Sequence, residues 1–254
     1  MYHRFLQCIV LSILLMHSSE LTAQSAVEAI LQQARIFEKN HQDAQALQKY
    51  EEYLKYTPGN VSIVCKLSEL YSQLGKLQNG KQQQIEFCKK ANSYAATALK
   101  LQPSSAEAHF VMSVAQGNQA LLAFGADKIE AVKQVKYYAE KTVQLDPSNF
   151  KGYHVLGKWN AEVSGLNSVE KWLVKMTFGG LPYASYDKAI ECFEKSRKLN
   201  PSFLLNYLEL AKCYFEKDDN RHAKEMLQFI DKAPAIGTED LNTKKEAAQL
   251  ASRL

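Results

Sequence analysis

Four prolines stand in one local setting: Tyr-Thr-Pro58, Leu-Gln-Pro103, Leu-Asp-Pro147 and Leu-Asn-Pro201. An apolar stripe at helical spacing precedes each, and another follows it. Proline cannot donate a hydrogen bond inside a helix, so it ends the first stretch and sits in the turn. The register extends on both sides. Twelve positions before the prolines stand Ala46, Ala91, Val135 and Ala189, and eight before them Tyr50, Ala95, Ala139 and Phe193. Nine positions after come Leu67, Met112, Leu156 and Leu210, and thirteen after Tyr71, Gln116, Asn160 and Tyr214. Small and large residues alternate so that two antiparallel helices can approach and interlock with the next pair. One copy would constrain little. Four in a common register demand a stack of helix hairpins.

This pattern resembles the tetratricopeptide repeat and predicts an all-α solenoid of stacked antiparallel helix pairs. The prolines lie 45, 44 and 54 residues apart. That exceeds the usual period of about 34, so helices are lengthened or inserted between units. Lys76 to Gln102 reads as one long helix, with Asn79-Gly80 the place for an interruption. The widest gap holds a short apolar helix, Ser168 to Phe178, closed by Gly179-Gly180-Leu181-Pro182. Thr238 to Leu254 reads as an amphipathic capping helix, and no run alternates with the period of a strand.

Phe5 to Met16 is almost continuously apolar, follows a single basic residue, and precedes a short polar stretch ending at Ala23. A dozen residues suit the hydrophobic part of a secretory signal and fall short of the ~20 that span a bilayer. Residues 1–23 are therefore expected to be a signal peptide, with an uncleaved anchor or a buried helix as alternatives. Residues 24–254 form a single repeat domain on this reading, exported to the periplasm or secreted, with no stable membrane span after cleavage. Cys65, Cys88, Cys192 and Cys213 lie in apolar helical stretches and read as buried thiols in preference to two disulfides.

Beyond Tyr153 the likeness is more specific. YHVLGKWNAEV, FGGLPYASYDKAIECFEKSRKLNP and NYLELAKCYFE resemble the regulator of microtubule dynamics family, across roughly residues 90–254. The weight falls on His154-Val155-Leu156-Gly157-Lys158-Trp159, on Gly180-Leu181-Pro182, and on Ala184-Ser185-Tyr186. The resemblance implies an all-helical, non-catalytic interaction protein with no cofactor. It carries over the fold; a secretory signal would separate the chain from any cytoplasmic filament, and bacterial-type envelope export is the expected compartment.

Catalytic and metal sites find little support. The chain has 11 glycines and a net charge of +4, evenly spread. That is too mild for a dedicated nucleic-acid binder. Gly75 to Lys81 imitates a phosphate loop, but Gln82 replaces the metal-binding hydroxyl and a helix precedes the loop in place of a strand. His41, His109, His154 and His222 are too widely separated to pair on a metal, and no CxxC occurs. Neither catalytic residues nor cofactor or metal ligands are assigned. The candidate binding feature is Lys151, His154 and Lys158 at i, i+3 and i+7 on one helix, with Lys212 and Phe215 one unit later. Such a cluster suits an acidic peptide or a chain-terminal carboxylate. The same spacing also suits a solvated lysine face with His154 packed between helices. Trp159 and Trp172 are expected to fill core. The resulting expectation is a non-enzymatic scaffold of the cell envelope that binds a protein or peptide in a concave groove. The alternatives are an outer-membrane assembly component, or a glycan or small-molecule capture module using Tyr137, Tyr138 and Tyr153.

Overall fold

In the computed structural model, which describes residues 24–254, every regular element among the described residues is a helix. The expected signal segment, residues 1–23, lies outside the described residues. After α1 (24–39) come α2 (Asp43–Tyr56), α3 (Val61–Lys76), α4 (Lys81–Leu101), α5 (Ala106–Leu122), α6 (Gly125–Leu145) and α7 (Phe150–Gly165). They continue with α8 (Ser168–Phe178), α9 (Tyr186–Leu199), α10 (Leu204–Glu216), α11 (Asn220–Lys232) and α12 (Thr238–Ala251).

The prolines occupy equivalent turns. Each is the second residue of a four-residue turn closed by a backbone hydrogen bond: Asn60 to Thr57, Ser105 to Gln102, Asn149 to Asp146 and Phe203 to Asn200, at 3.0, 3.1, 3.1 and 3.4 Å. Proline suits that position because its fixed φ is already the turn value. The next helix then starts on a side-chain cap in three of these cases, Asn60 Oδ1 accepting from Ile63 N–H at 3.2 Å in the first. Ser105 Oγ accepts from Ala108 N–H at 3.2 Å, and Asn149 Oδ1 accepts from Gly152 N–H at 2.9 Å.

The chain divides into two compact units, up to Ile63 and from Val64 onward. In the first, α1 and α2 are tied by Tyr50, whose hydroxyl donates to Glu38 Oε2 at 2.5 Å. The second is a ladder. Consecutive helices α4 to α7 pack pairwise, α9 to α12 do the same, and α7 packs on α9 across the α8 insertion. In addition α5 touches α7, α7 touches α10, and α10 touches α12. No equivalent contact joins α4, α6, α9 and α11 to one another among the described residues. The helices that follow proline turns, together with α12, therefore line the inner side of the stack. We call them the inner helices.

The repeating small residues are the reason this packing works. Ala91, Ala95, Ala139, Ala189 and Phe193 are fully buried, as are Leu67 and Leu210. The expected long helix from Lys76 to Gln102 is two: α3 stops at Lys76 and α4 starts at Lys81. Gly80 sits extended there as the N-cap, since Asn79-Gly80 favours a turn over helix interior. The Ser168–Phe178 helix forms as expected. Gly179 ends it in the left-handed region at φ 75°, and Gly180 N–H reaches Val174 O at 3.1 Å.

Candidate functional site

The inner surface is charged, and two glutamates organise it. Glu209 on α10 has a side chain only 7 % exposed and lies 3.0 Å from Lys212 Nζ and 3.5 Å from Lys158 Nζ of α7. Glu69 on α3, 14 % exposed, lies 2.7 Å from Lys151 Nζ of α7 and 3.2 Å from Lys66 Nζ. Each buried carboxylate thus holds two ammonium groups, one from its own helix and one from another inner helix. Burial alone would raise both carboxyls. The lysines outweigh it and hold Glu69 and Glu209 below the usual carboxylate range. Glu69 and Glu209 stay ionised at neutral pH, and the two lysines on Glu209 are shared with exposed carboxylates, Glu162 at 3.5 Å from Lys158 and Glu246 at 3.2 Å from Lys212.

Charges on different inner helices influence one another. Lys76 on α3 feels Glu239 on α12 and Lys158 on α7, and crowding by protein lowers its ammonium pKa. Glu107 on α5 and Glu239 are raised, in both cases first through loss of solvation. All three remain in contact with water.

Of the sequence-derived candidates, Lys158 and Lys212 come together, joined through Glu209. Lys212 is also bound at 3.2 Å to Glu246 of α12. Lys151 stands about seven residues, two helical turns, from Lys158 and belongs to the other triad; its ammonium lies 5.1 Å from the centre of the Phe110 ring. His154 lies under this surface, 8 % exposed, between the rings of Phe193 and Phe203. Asn206 Nδ2 donates to the Phe193 carbonyl at 2.8 Å, which turns Oδ1 toward the imidazole, 3.1 Å from Nδ1. The neutral ring therefore carries its proton on Nδ1 and donates it to Asn206. Burial lowers the His154 pKa to about 4, against the opposing pull of Asn206 and Glu209. His154 is a core residue, so it is removed from the groove. Phe215 packs against the C-terminal core with the Arg253 guanidinium 4.8 Å from its ring centre.

Other expectations resolve on burial. Trp159 is buried, and its indole N–H donates to Val132 O at 2.8 Å. Trp172 is the opposite, 59 % exposed on α8, which corrects its expected place in the core. The four cysteines of the described chain are free thiols. Among the described residues no cluster of three or more His, Cys, Asp and Glu side chains is arranged to hold a metal, and no helix is long and apolar enough to cross a membrane. Tyr137 and Tyr138 pack on each other on α6. Tyr153 lines an open cleft of about 440 Å³ with Glu191, Cys192, Glu194, Lys195 and Lys198.

Sequence reasoning missed Glu69, Glu209, Lys66, Lys76, Glu107 and Glu239. One signal was present. Glu69 stands eleven positions after Pro58, as Lys158 does after Pro147 and Lys212 after Pro201.

Comparison with known proteins extends the pattern. The family "Regulator of microtubule dynamics protein 1-3" matches residues 30–254. Regulator of microtubule dynamics protein 3 of Rattus norvegicus is 26% identical over 189 residues, covering 74% of this chain and 40% of that protein. Regulator of microtubule dynamics protein 1 of Mus musculus is 25% identical over 234 residues, covering 91% and 76%. The chain thus spans about two-fifths of the longer relative. Among solved structures, a thermophilic tetratricopeptide protein of Thermus thermophilus aligns at a TM-score of 0.67 with 14% identity, covering 89% of this chain and 99% of that one. The pilF protein of Pseudomonas aeruginosa aligns at 0.56, also with 14% identity, covering 90% and 86%.

Proposed function

This chain belongs to the regulator of microtubule dynamics 1-3 family, and on that premise we propose that it is a non-catalytic scaffold whose inner groove binds an acidic peptide segment or a chain-terminal carboxylate. The observation that carries this reading is the pair of lysine–glutamate–lysine triads. A long lysine side chain ordinarily loses considerable rotamer entropy when a ligand immobilises it. Here Glu69 and Glu209 hold Lys151, Lys158 and Lys212 in place beforehand, and their side chains remain 37 to 48% exposed toward the groove. A ligand carboxylate finds ammonium groups already ordered, and it can displace the exposed Glu162 from Lys158 and Glu246 from Lys212. The relatives are named for microtubule dynamics; the scaffold class is carried over here and that partner is not, given the modest identity. The compartment we propose is the cell envelope, on the apolar run Phe5–Met16 and the polar stretch after it. Intact mass of the native protein tests it, the expected N-terminus being Gln24.

The groove is tested by fluorescence polarisation with acidic and neutral peptides. A triple variant, Lys158→Met, Lys212→Met and Glu209→Gln, removes one triad without stranding a buried charge. We expect unchanged circular dichroism and a roughly tenfold or greater loss of affinity for acidic peptides. Wild-type binding that ignores peptide charge, or undiminished acidic-peptide binding in the triple variant, would reject the groove.

A further inference from the structure

Helix α8 has no place in the ladder of inner and outer helices, and its side chains divide in an unusual way. Steps of about 100° per residue set Val169, Trp172, Leu173 and Met176 within an arc of about 100°. All four are exposed, between 49 and 67 %. The centre of that arc lies about 170° from Val174 and Phe178, which are half-buried on the body side. There α8 rests on α6, and Lys133 Nζ donates to Phe178 O at 3.2 Å. The helix is thus apolar on two opposite faces, and the larger one points away from the protein.

This face continues along one margin of the stack. The turn from each inner helix to its outer partner opens on the same side; those turns carry Leu77, Phe124 and Tyr183, and Leu121 ends α5 beside them, all exposed. Lysines accompany the rings: Lys81 Nζ lies 4.5 Å from the centre of Phe124, and Lys188 Nζ 4.8 Å from that of Tyr183. On α8, Lys175 borders the apolar arc about 60° beyond Trp172, whereas Lys171 lies beside Phe178 on the body side. Lys171 also donates to Ser164 O at 2.9 Å. The one acid of the helix, Glu170, is turned back to accept from Asn167 N–H at 2.8 Å in a capping box.

We propose that this margin, with α8 at its centre, docks on an anionic lipid surface. Val169, Trp172, Leu173 and Met176 enter the interface between headgroups and acyl chains, with Phe124 and Tyr183 beside them. Lys81, Lys175 and Lys188 take headgroup phosphates. A bilayer fits better than a folded partner because the apolar tips project from separate turns. A fluid surface receives each independently, whereas a protein would need one groove spanning several hairpins. The pairing of aromatic and ammonium groups is the chemistry of an interfacial helix, and each lysine adds about fivefold to affinity for an anionic surface. The inference does not depend on the groove reading.

Trp172 is its own reporter, because Trp159 is already buried. The full chain is titrated with vesicles of phosphatidylcholine, alone or with about 30 mol% phosphatidylserine. We expect a blue shift of Trp emission and quenching by bromine-labelled lipid chains, with the anionic vesicles only. Both should vanish, as read by co-sedimentation together with retained circular dichroism, in Leu173→Glu/Met176→Glu. Lys175→Glu/Lys188→Glu should weaken binding by at least about tenfold. An unshifted emission, or vesicle binding that these variants leave intact, would overturn the proposal. So would light scattering that shows a dimer converted to monomer by Leu173→Glu/Met176→Glu, which would make the face a protein interface.

Discussion

Gly157 and Gly117 offer one substitution with opposite expected signs. Both sit inside inner helices, where glycine is unfavourable to alanine by about 1 kcal/mol. A Cβ on Gly117 would find Val135 Cγ2 at 3.9 Å, an ordinary contact. Gly117→Ala should therefore stabilise the protein by about 0.5–1 kcal/mol. A Cβ on Gly157 would lie 2.6 Å from Cδ1 and Cε1 of Phe193 and 2.8 Å from its Cγ. That ring is fully buried and cannot swing clear, so α7 and α9 must separate. Overpacking of this kind costs about 1–3 kcal/mol, which exceeds the gain in helix propensity. Gly157→Ala should end about 1–2 kcal/mol less stable than wild type. The two variants should thus straddle the wild-type melting temperature, separated by about 4–8 °C in circular dichroism or calorimetry. A Phe193→Leu background should shrink the Gly157→Ala cost, because it removes the ring atoms that cause it. Should Gly157→Ala prove as stable as wild type, or its cost survive Phe193→Leu unchanged, close approach of α7 and α9 would not be what this glycine provides.

His154 links stability to pH. Its pKa is about 4 folded and near 6.5 unfolded, so the unfolded chain takes up a proton first as pH falls. Stability contributed by the neutral ring is present above 6.5 and is lost down to about 4. Between pH 7 and 5 the loss is about 2 kcal/mol, read as the difference between wild type and His154→Gln in urea titrations. A wild-type slope no steeper than the variant's would contradict the buried, neutral assignment. The thiols should be inert: burial pushes Cys65 and Cys213 up to about 12 and Cys192 to about 11, and raises Cys88. Native protein at pH 8 should leave all four unmodified by a thiol reagent within minutes, and denaturant should expose them; rapid native modification at any of them would contradict the packing described.

The proline register made the architecture legible, because a turn proline, a small residue twelve before it and an apolar residue nine after it each report a local necessity of helix-hairpin packing. Volume matching goes further than those positions revealed. Ten residues after the prolines stand Ser68, Ser113, Gly157 and Ala211. Ser68 Oγ donates to Ala91 O at 2.9 Å on the facing α4, and Gly157 faces the Phe193 ring. The smallest residue of this set thus meets a large side chain on the opposing helix. The break before Lys81 falls where Asn79-Gly80 marked an interruption, because backbone preference changes there although amphipathic spacing continues. Trp172 was misread for a related reason: helical spacing gives the arc of an apolar face but not its direction. Only the contact of α8 with α6 fixes which of its two apolar arcs points inward.

The groove fails to appear in the sequence for a reason of distance. Lys151, Lys158 and Lys212 are visible as a stripe because register places them on one surface, and a stripe of lysines alone invites a strongly cationic reading. What moderates that charge comes from elsewhere in the chain. Glu69 meets Lys151 across 82 residues, and Glu209 meets Lys158 from the next inner helix. Such pairs become neighbours only once the stack has curled. His154 follows the same logic. Its partner Asn206 is 52 residues away, so spacing on α7 alone cannot separate a groove imidazole from one buried a helix radius beneath it. A repeat fixes which positions face inward; long-range charge pairing then decides what those positions offer a ligand. Here it converts a loose cationic stripe into lysines held by buried Glu69 and Glu209, with exposed Glu162 and Glu246 sharing Lys158 and Lys212. Affinity for acidic peptides should consequently be moderate and should fall with added salt, since ligand and buried glutamate compete for the same ammonium groups.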